Sequence, residues 1–194
     1  MAATFNWNQR TQAGPSTGYD LGVSGNLFNF KSDDSNTPAN YTTFPVTAGN
    51  RSFEVWLRGN FTGTFNKIQN CQFWKSSGSY GTGETMDWGT TSAFTNPVST
   101  DGAKTTGAVP TADPETQNVF FAAGSSSANA VGFSNYIVLQ LATTSAAEAG
   151  DTETFTFTLN IVGHLKEILS SKFVKLRENL KIMFSNFEII RNQA

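Results

Sequence analysis

Cysteine, histidine and charge are all scarce in this chain. Its 194 residues hold one cysteine, Cys71, and one histidine, His164. One cysteine excludes an intramolecular disulfide, and one cysteine with one histidine cannot build a zinc site within a single chain. Cys71 reads as a small apolar residue buried beside Phe73, because a nucleophilic thiol needs a nearby base and the only histidine lies far along the chain. Charged residues make up 14% of the sequence, well under the roughly 25% of an ordinary globular domain. No stretch approaches the roughly 18 uninterrupted apolar residues of a membrane span, and Met1 to Trp7 lack the basic region and apolar run of a secretory signal. These absences set the expectation of a protein made in a cytosol, used soluble or assembled, that binds neither membrane nor nucleic acid.

Aromatic residues, in contrast, are plentiful. They form 13% of the chain and include 17 Phe, enough to fill a core and to set the sequence apart from disordered chains. The net charge of -2 is unevenly spread. Residues 1–160 carry 7 Lys/Arg against 12 Asp/Glu, a balance of -5, and residues 161–194 carry 6 against 3, a balance of +3. The body therefore offers no basic face for nucleic acid.

Apolar residues up to about residue 161 alternate with period two, the signature of half-buried strands. Phe53, Val55 and Leu57 share one face of 51–58, with Glu54 and Arg58 on the other. Segments 26–30, 65–74, 118–121 and 135–141 read as further strands. The strongest is 152–161, where Phe155, Phe157, Leu159 and Ile161 alternate with Thr154, Thr156 and Thr158. Threonine suits a pleated surface that is half wet, so the sheet is expected to be antiparallel with one buried face. Residues 76–114 hold six Gly and three Pro and read as a long loop. Many short strands, Gly-rich turns and no helical stretch predict an all-β antiparallel sandwich, jelly-roll or Ig-like, over residues 1–161.

Residues 162–194 follow a different pattern. Leu169, Phe173, Leu176, Leu180, Met183, Phe187 and Ile190 are spaced alternately by four and three, a heptad seam of about three heptads. This predicts a long amphipathic helix, with His164 at its start. Ile168, Val174, Ile182, Phe184 and Ile189 broaden its apolar face, which favours a bundle of three or more helices, or a partner's groove, over a two-stranded coiled coil. Folding back over the sheet and docking on a membrane surface are the other readings of the segment.

Candidate chemistry is thin. Gly78 to Gly83 is glycine-rich but is followed by neither the Lys-Ser/Thr nor the helix of a phosphate loop. Glu84 and Asp87 lie near Trp88, a pattern compatible with sugar chemistry and equally with a turn. Asp33, Asp34 and Asn36 supply oxygen atoms but match no full calcium loop. With no cofactor fingerprint, no metal cluster and no Gly-x-Ser-x-Gly elbow, the chain is expected to be non-enzymatic, without cofactor or catalytic residues. Trp56, Trp74, Tyr80 and Trp88 are the candidate stacking platforms for the alternative reading, a carbohydrate-binding module or receptor-binding fibre tip.

Asn135-Tyr-Ile-Val-Leu-Gln-Leu-Ala-Thr-Thr144, followed by Ala149-Gly-Asp-Thr-Glu-Thr-Phe-Thr-Phe-Thr-Leu159, resembles the final strands of small virion proteins of tailed bacteriophages. The likeness covers residues 118–160. It implies a β-sandwich structural protein of the virion, a capsid decoration or head-fibre component. Such a component would form a homo-oligomer, with a trimer favoured, and would bind a major capsid protein or another virion protein. A self-assembling shell or filament subunit is a further alternative. The segment from Gly163 onward departs from that pattern, because such domains often stop near the last strand.

Overall fold

The computed structural model describes residues 4–12, 19–23, 28–34, 42–102, 104–148, 152–164 and 180–192. Eleven strands are assigned among these residues: β1 (Thr4–Thr11), β2 (Tyr19–Val23), β3 (Val55–Thr62), β4 (Lys67–Ser77), β5 (Glu84–Thr91), β6 (Gly107–Ala108), β7 (Ser127–Ala128), β8 (Gly132–Phe133), β9 (Tyr136–Thr143), β10 (Thr152–His164) and β11 (Leu180–Asn192). The one helical element among the described residues is a 3-10 turn, Ala122–Gly124. The molecule is thus all-β, as the alternation predicts, and every strand pairing is antiparallel.

The strands form two sheets. The larger runs β2-β1-β3-β9-β5-β6, with β8 also paired to β3, and the smaller runs β11-β10-β4-β7. Their apolar faces meet in one core, where Phe73 of β4 is the central ring. It touches Trp7 across the sheets edge-on at 6.4 Å, Trp88 at 6.0 Å and, within its own sheet, Phe157 at 5.4 Å with nearly parallel planes. Phe155, Phe157, Leu159 and Ile161 all face this core, as their spacing requires, and Cys71 is fully buried there. Burial pushes the Cys71 thiol far above its usual range. Phe28 and Phe30 also enter the core, although no strand is assigned to 28–34. Gly59 faces the same side, where a Cβ atom would run into the Phe5 and Phe61 rings.

Residues 28–30 and 118–121, read as strands, hold no assigned strand, only a bridge at Phe121, and sequence and structure part company more widely in two regions. Glu84–Thr91, read as part of a long loop, is a full strand of the larger sheet between β9 and the short β6, with Met86 opposite Leu141 and Trp88 opposite Leu139. Its two-residue rhythm is short and diluted by Thr85, Gly89, Thr90 and Thr91, so glycine and threonine masked it.

The second region is the C-terminal segment. Leu180, Met183, Phe187 and Ile190, expected on a helix, lie on strand β11, which pairs along its length with β10. Leu169, Phe173 and Leu176 lie outside the described residues. The register gives the physical reason for the correction. Ile182, Phe184, Phe187 and Ile189 stand opposite Ile161, Leu159, Phe157 and Phe155, the four inward residues of β10. A bulge places Ser185 and Asn186 against the single Thr158. Met183 and Ile190 stand opposite Asn160 and Thr154, so the residues that read as one helical seam are divided between the two faces of the strand. β10 itself runs on through His164, opposite Lys67 of β4, so His164 ends a strand where a helix start was expected.

Candidate functional site: the outer face of the larger sheet

β9 is buried on both faces. Its inward residues Ile137, Leu139 and Leu141 join the core, so something must cover Tyr136, Val138 and Gln140 on the other side. The cover is residues 92–102 and 104–106, from the connection between β5 and β6. Phe94 packs on Trp56 edge-on at 5.2 Å and on Tyr136 at 5.9 Å, and Trp56 meets Tyr136 at 5.5 Å. These residues and Val138 form a second apolar cluster on the outer face.

Gln140 pins the same connection. Fully buried, its amide nitrogen donates to the carbonyls of Ser52 at 3.0 Å, Val98 at 3.2 Å and Thr100 at 2.8 Å. Its amide oxygen accepts from the Gly102 amide and the Thr105 hydroxyl, both at 3.3 Å. Glu54 completes the clamp. Its carboxylate accepts from the Trp56 indole at 2.9 Å, and its backbone amide donates to the Val98 carbonyl at 3.0 Å. Burial holds the Glu54 carboxyl above the usual range. Glu54, on the strand face opposite Val55 and Leu57, is therefore a buried anchor, 4% exposed.

Two arginines border this layer. The Arg58 guanidinium lies 3.6 Å from the centre of the Phe133 ring and 5.0 Å from that of Tyr136. Arg10 lies 4.6 Å from the Phe94 centroid and donates to the Tyr136 hydroxyl at 3.5 Å. Contacts of this kind contribute about 0.5–2 kcal/mol each and hold a guanidinium flat. Phe133 and Val131 beside them are exposed. On the other side of the covering connection is a broad polar cleft of about 480 Å³, lined by Arg51, Asp87, Asp101, Thr105 and Thr106 among others. Arg51 pairs with Asp87 at 2.7 Å and with Asp101 at 3.3 Å, so both carboxylates meet one guanidinium.

A third polar group lies where residues 28–34 pass β3. Asp34 accepts from the Gln12 amide at 3.0 Å, and Lys31 accepts through its carbonyl from the Phe53 amide at 2.9 Å. Burial raises Asp34 to about 6, helped by the neighbouring charges of Asp33 and Glu54 and opposed by the Gln12 hydrogen bond and Lys31. Burial also lowers Lys31. Among the described residues, no group of three or more His, Cys, Asp or Glu side chains is placed to hold a metal ion.

The four candidate stacking platforms do not form one surface. Trp56 is fully buried beneath Phe94 and Tyr136, with no ring face left for a sugar. Trp88 packs against the core on Phe73. Tyr80 packs on Phe155 at 5.5 Å with the Lys75 ammonium 4.6 Å from its centroid, and Trp74 is half-buried on β4. Sequence reasoning missed the Gln140 clamp and the arginine–aromatic border. Their partners are 35 to 42 residues apart for Gln140 with Thr105 and Val98, and 126 residues apart for Arg10 with Tyr136. No protein-family model matches this chain, and no curated protein matches it.

Proposed function

We propose that this chain is a non-enzymatic structural protein of a virion, a β-sandwich that self-associates and binds a capsid lattice as a decoration or capsid-associated component. The observation that carries this reading is the use made of the candidate polar groups. Gln140, Glu54, Arg51 and Asp87 tie a long connection down as a second layer on the larger sheet, which gives shape rather than reactive groups. A stiff, low-charge outer surface with aromatic and arginine anchors suits contacts of protein–protein type. The two sheets sharing one core agree with a sandwich, and the antiparallel order is compatible with either a jelly-roll or an Ig-like arrangement.

The test is co-purification. The chain is expected to sediment with assembled particles in a density gradient, and a chain confined to the soluble fraction overturns the reading. A glycan array supplies the competing arm: binding that disappears in Trp74→Ala would replace the lattice by a sugar-binding fibre tip. Closed shells or filaments seen by electron microscopy of the purified protein alone would replace it by a self-assembling subunit.

A further inference from the structure

We propose that the outer edge of β11 is a strand-addition surface for a second copy of this chain, paired antiparallel about a two-fold axis through the bulge at Ser185–Asn186. The proposal rests on the reading of the chain as an assembling structural protein and names the partner and the contact.

The first observation is how differently the two edges of the smaller sheet are treated. A bare strand edge offers unpaired amides and carbonyls to any other chain. On the β4 side this edge is closed along its length. The Lys75 amide donates to the Pro110 carbonyl at 2.8 Å, and the Asn118 side chain takes both backbone groups of Phe73, each at 2.8 Å. The Cys71 carbonyl accepts from the Asn118 and Val119 amides, and β7 pairs with Ile68 and Gln69. The larger sheet ends in strands of five and two residues. β11 ends the smaller sheet with 13 residues, none of them proline, and among the described residues no strand pairs with its outer side.

The second observation is that β11 is self-complementary in register. On each side of the bulge, positions opposite the inward residues of β10 alternate with positions opposite its outward residues. In a full-length antiparallel overlap of two unbulged strands about a point between two residues, these two sets would face each other. The extra residue removes that mismatch. Centred on Ser185–Asn186, the overlap places Phe184 opposite Phe187 of the second copy and Ile182 opposite Ile189, inward positions against inward positions. Lys181 and Glu188 then stand on the diagonal with opposite charges, and no like charges are opposed. A two-fold contact of this type is closed, so it joins two copies and does not propagate.

The test uses the full chain. Light scattering should give twice the chain mass. In Ile182→Cys/Ile189→Cys, mild oxidation should give a disulfide-linked dimer on a non-reducing gel, because opposed residues of an antiparallel pair lie within disulfide reach. Within one chain the two positions are roughly 20 Å apart along the strand, and Ile182→Cys alone should give no cross-link. As a second measure, Lys181→Glu and Glu188→Lys should each raise the dimer Kd by about fivefold, and the double reversal should restore it. An oligomeric mass without the 182–189 cross-link and without charge rescue overturns the β11 contact and leaves the assembly reading standing. A monomeric mass overturns both.

Discussion

Two residues, one buried and one half-buried, show how much of this molecule depends on polar groups drawn out of water. Gln140 serves three carbonyls and three donors, Arg51 among them, from a fully buried position. Gln140→Leu keeps the volume but removes these bonds; the Val98 carbonyl keeps the Glu54 amide and the Thr105 hydroxyl keeps the Gly102 carbonyl, and each group that stays buried without a partner costs roughly 1–3 kcal/mol. Relaxation of the connection between β5 and β6 toward solvent should reduce the total to about 3 kcal/mol. A urea midpoint lowered accordingly, with faster proteolysis between residues 98 and 105, is the expected result; an unchanged midpoint would show that the clamp is not holding. Asp34 makes a prediction about pH. Its folded value of about 6 lies above the ordinary 3.8, so the native state holds a proton that the unfolded chain has released. The stability this contributes is present below about pH 4 and is lost as pH rises to about 6. Asp34→Asn should remove that part of the slope, seen as a smaller difference between urea midpoints at pH 4.5 and pH 7 than in the parent. An equal difference in both proteins would sink the assignment.

Edges decide behaviour at the scale of the element. Asn118 uses one side chain to satisfy both the amide and the carbonyl of Phe73 and so closes the middle of the β4 edge. Asn118→Ala should cost about 1–3 kcal/mol through the groups left unpaired and should leave that edge open to other chains. The expected readout is a lowered melting temperature together with light-scattering growth on mild heating; a variant that melts lower but stays clear would confine Asn118 to stability. How legible an element was in the sequence follows the same logic. β10 could be read directly, because Phe155, Phe157, Leu159 and Ile161 alternate without interruption. β5 could not, because Met86 and Trp88 are its only large apolar residues among threonines and a glycine. β11 was readable as amphipathic but not as a strand. Leu180 and Phe187 fit the helical seam and the bulged strand register alike, and only pairing with β10 chooses between them.

At the scale of the whole molecule, the last described strand belongs to the body. β10 and β11 are joined by a near-complete ladder, so residues 180–192 extend the smaller sheet. Ending the chain after His164 would strip that strand and bare the long edge of β10. The truncated protein should melt lower and aggregate more readily than the full chain; an unchanged melting temperature with clear solutions would mean that β11 adds nothing to the sheet. Residue order alone was enough to read the antiparallel β-class of the body, the inward sides of β3, β9 and β10, and the burial of Cys71. Each of these follows from local alternation and transfer free energy, which a residue carries wherever its strand goes. Tertiary structure alone decided that Trp56 is sealed, that Glu54 and Gln140 are anchors, and that residues 180–192 are half of a strand ladder. A helix finds its hydrogen bonds within four residues, whereas a strand takes them from partners far along the chain. Where two local patterns fit the same residues, the distant partner settles which one forms.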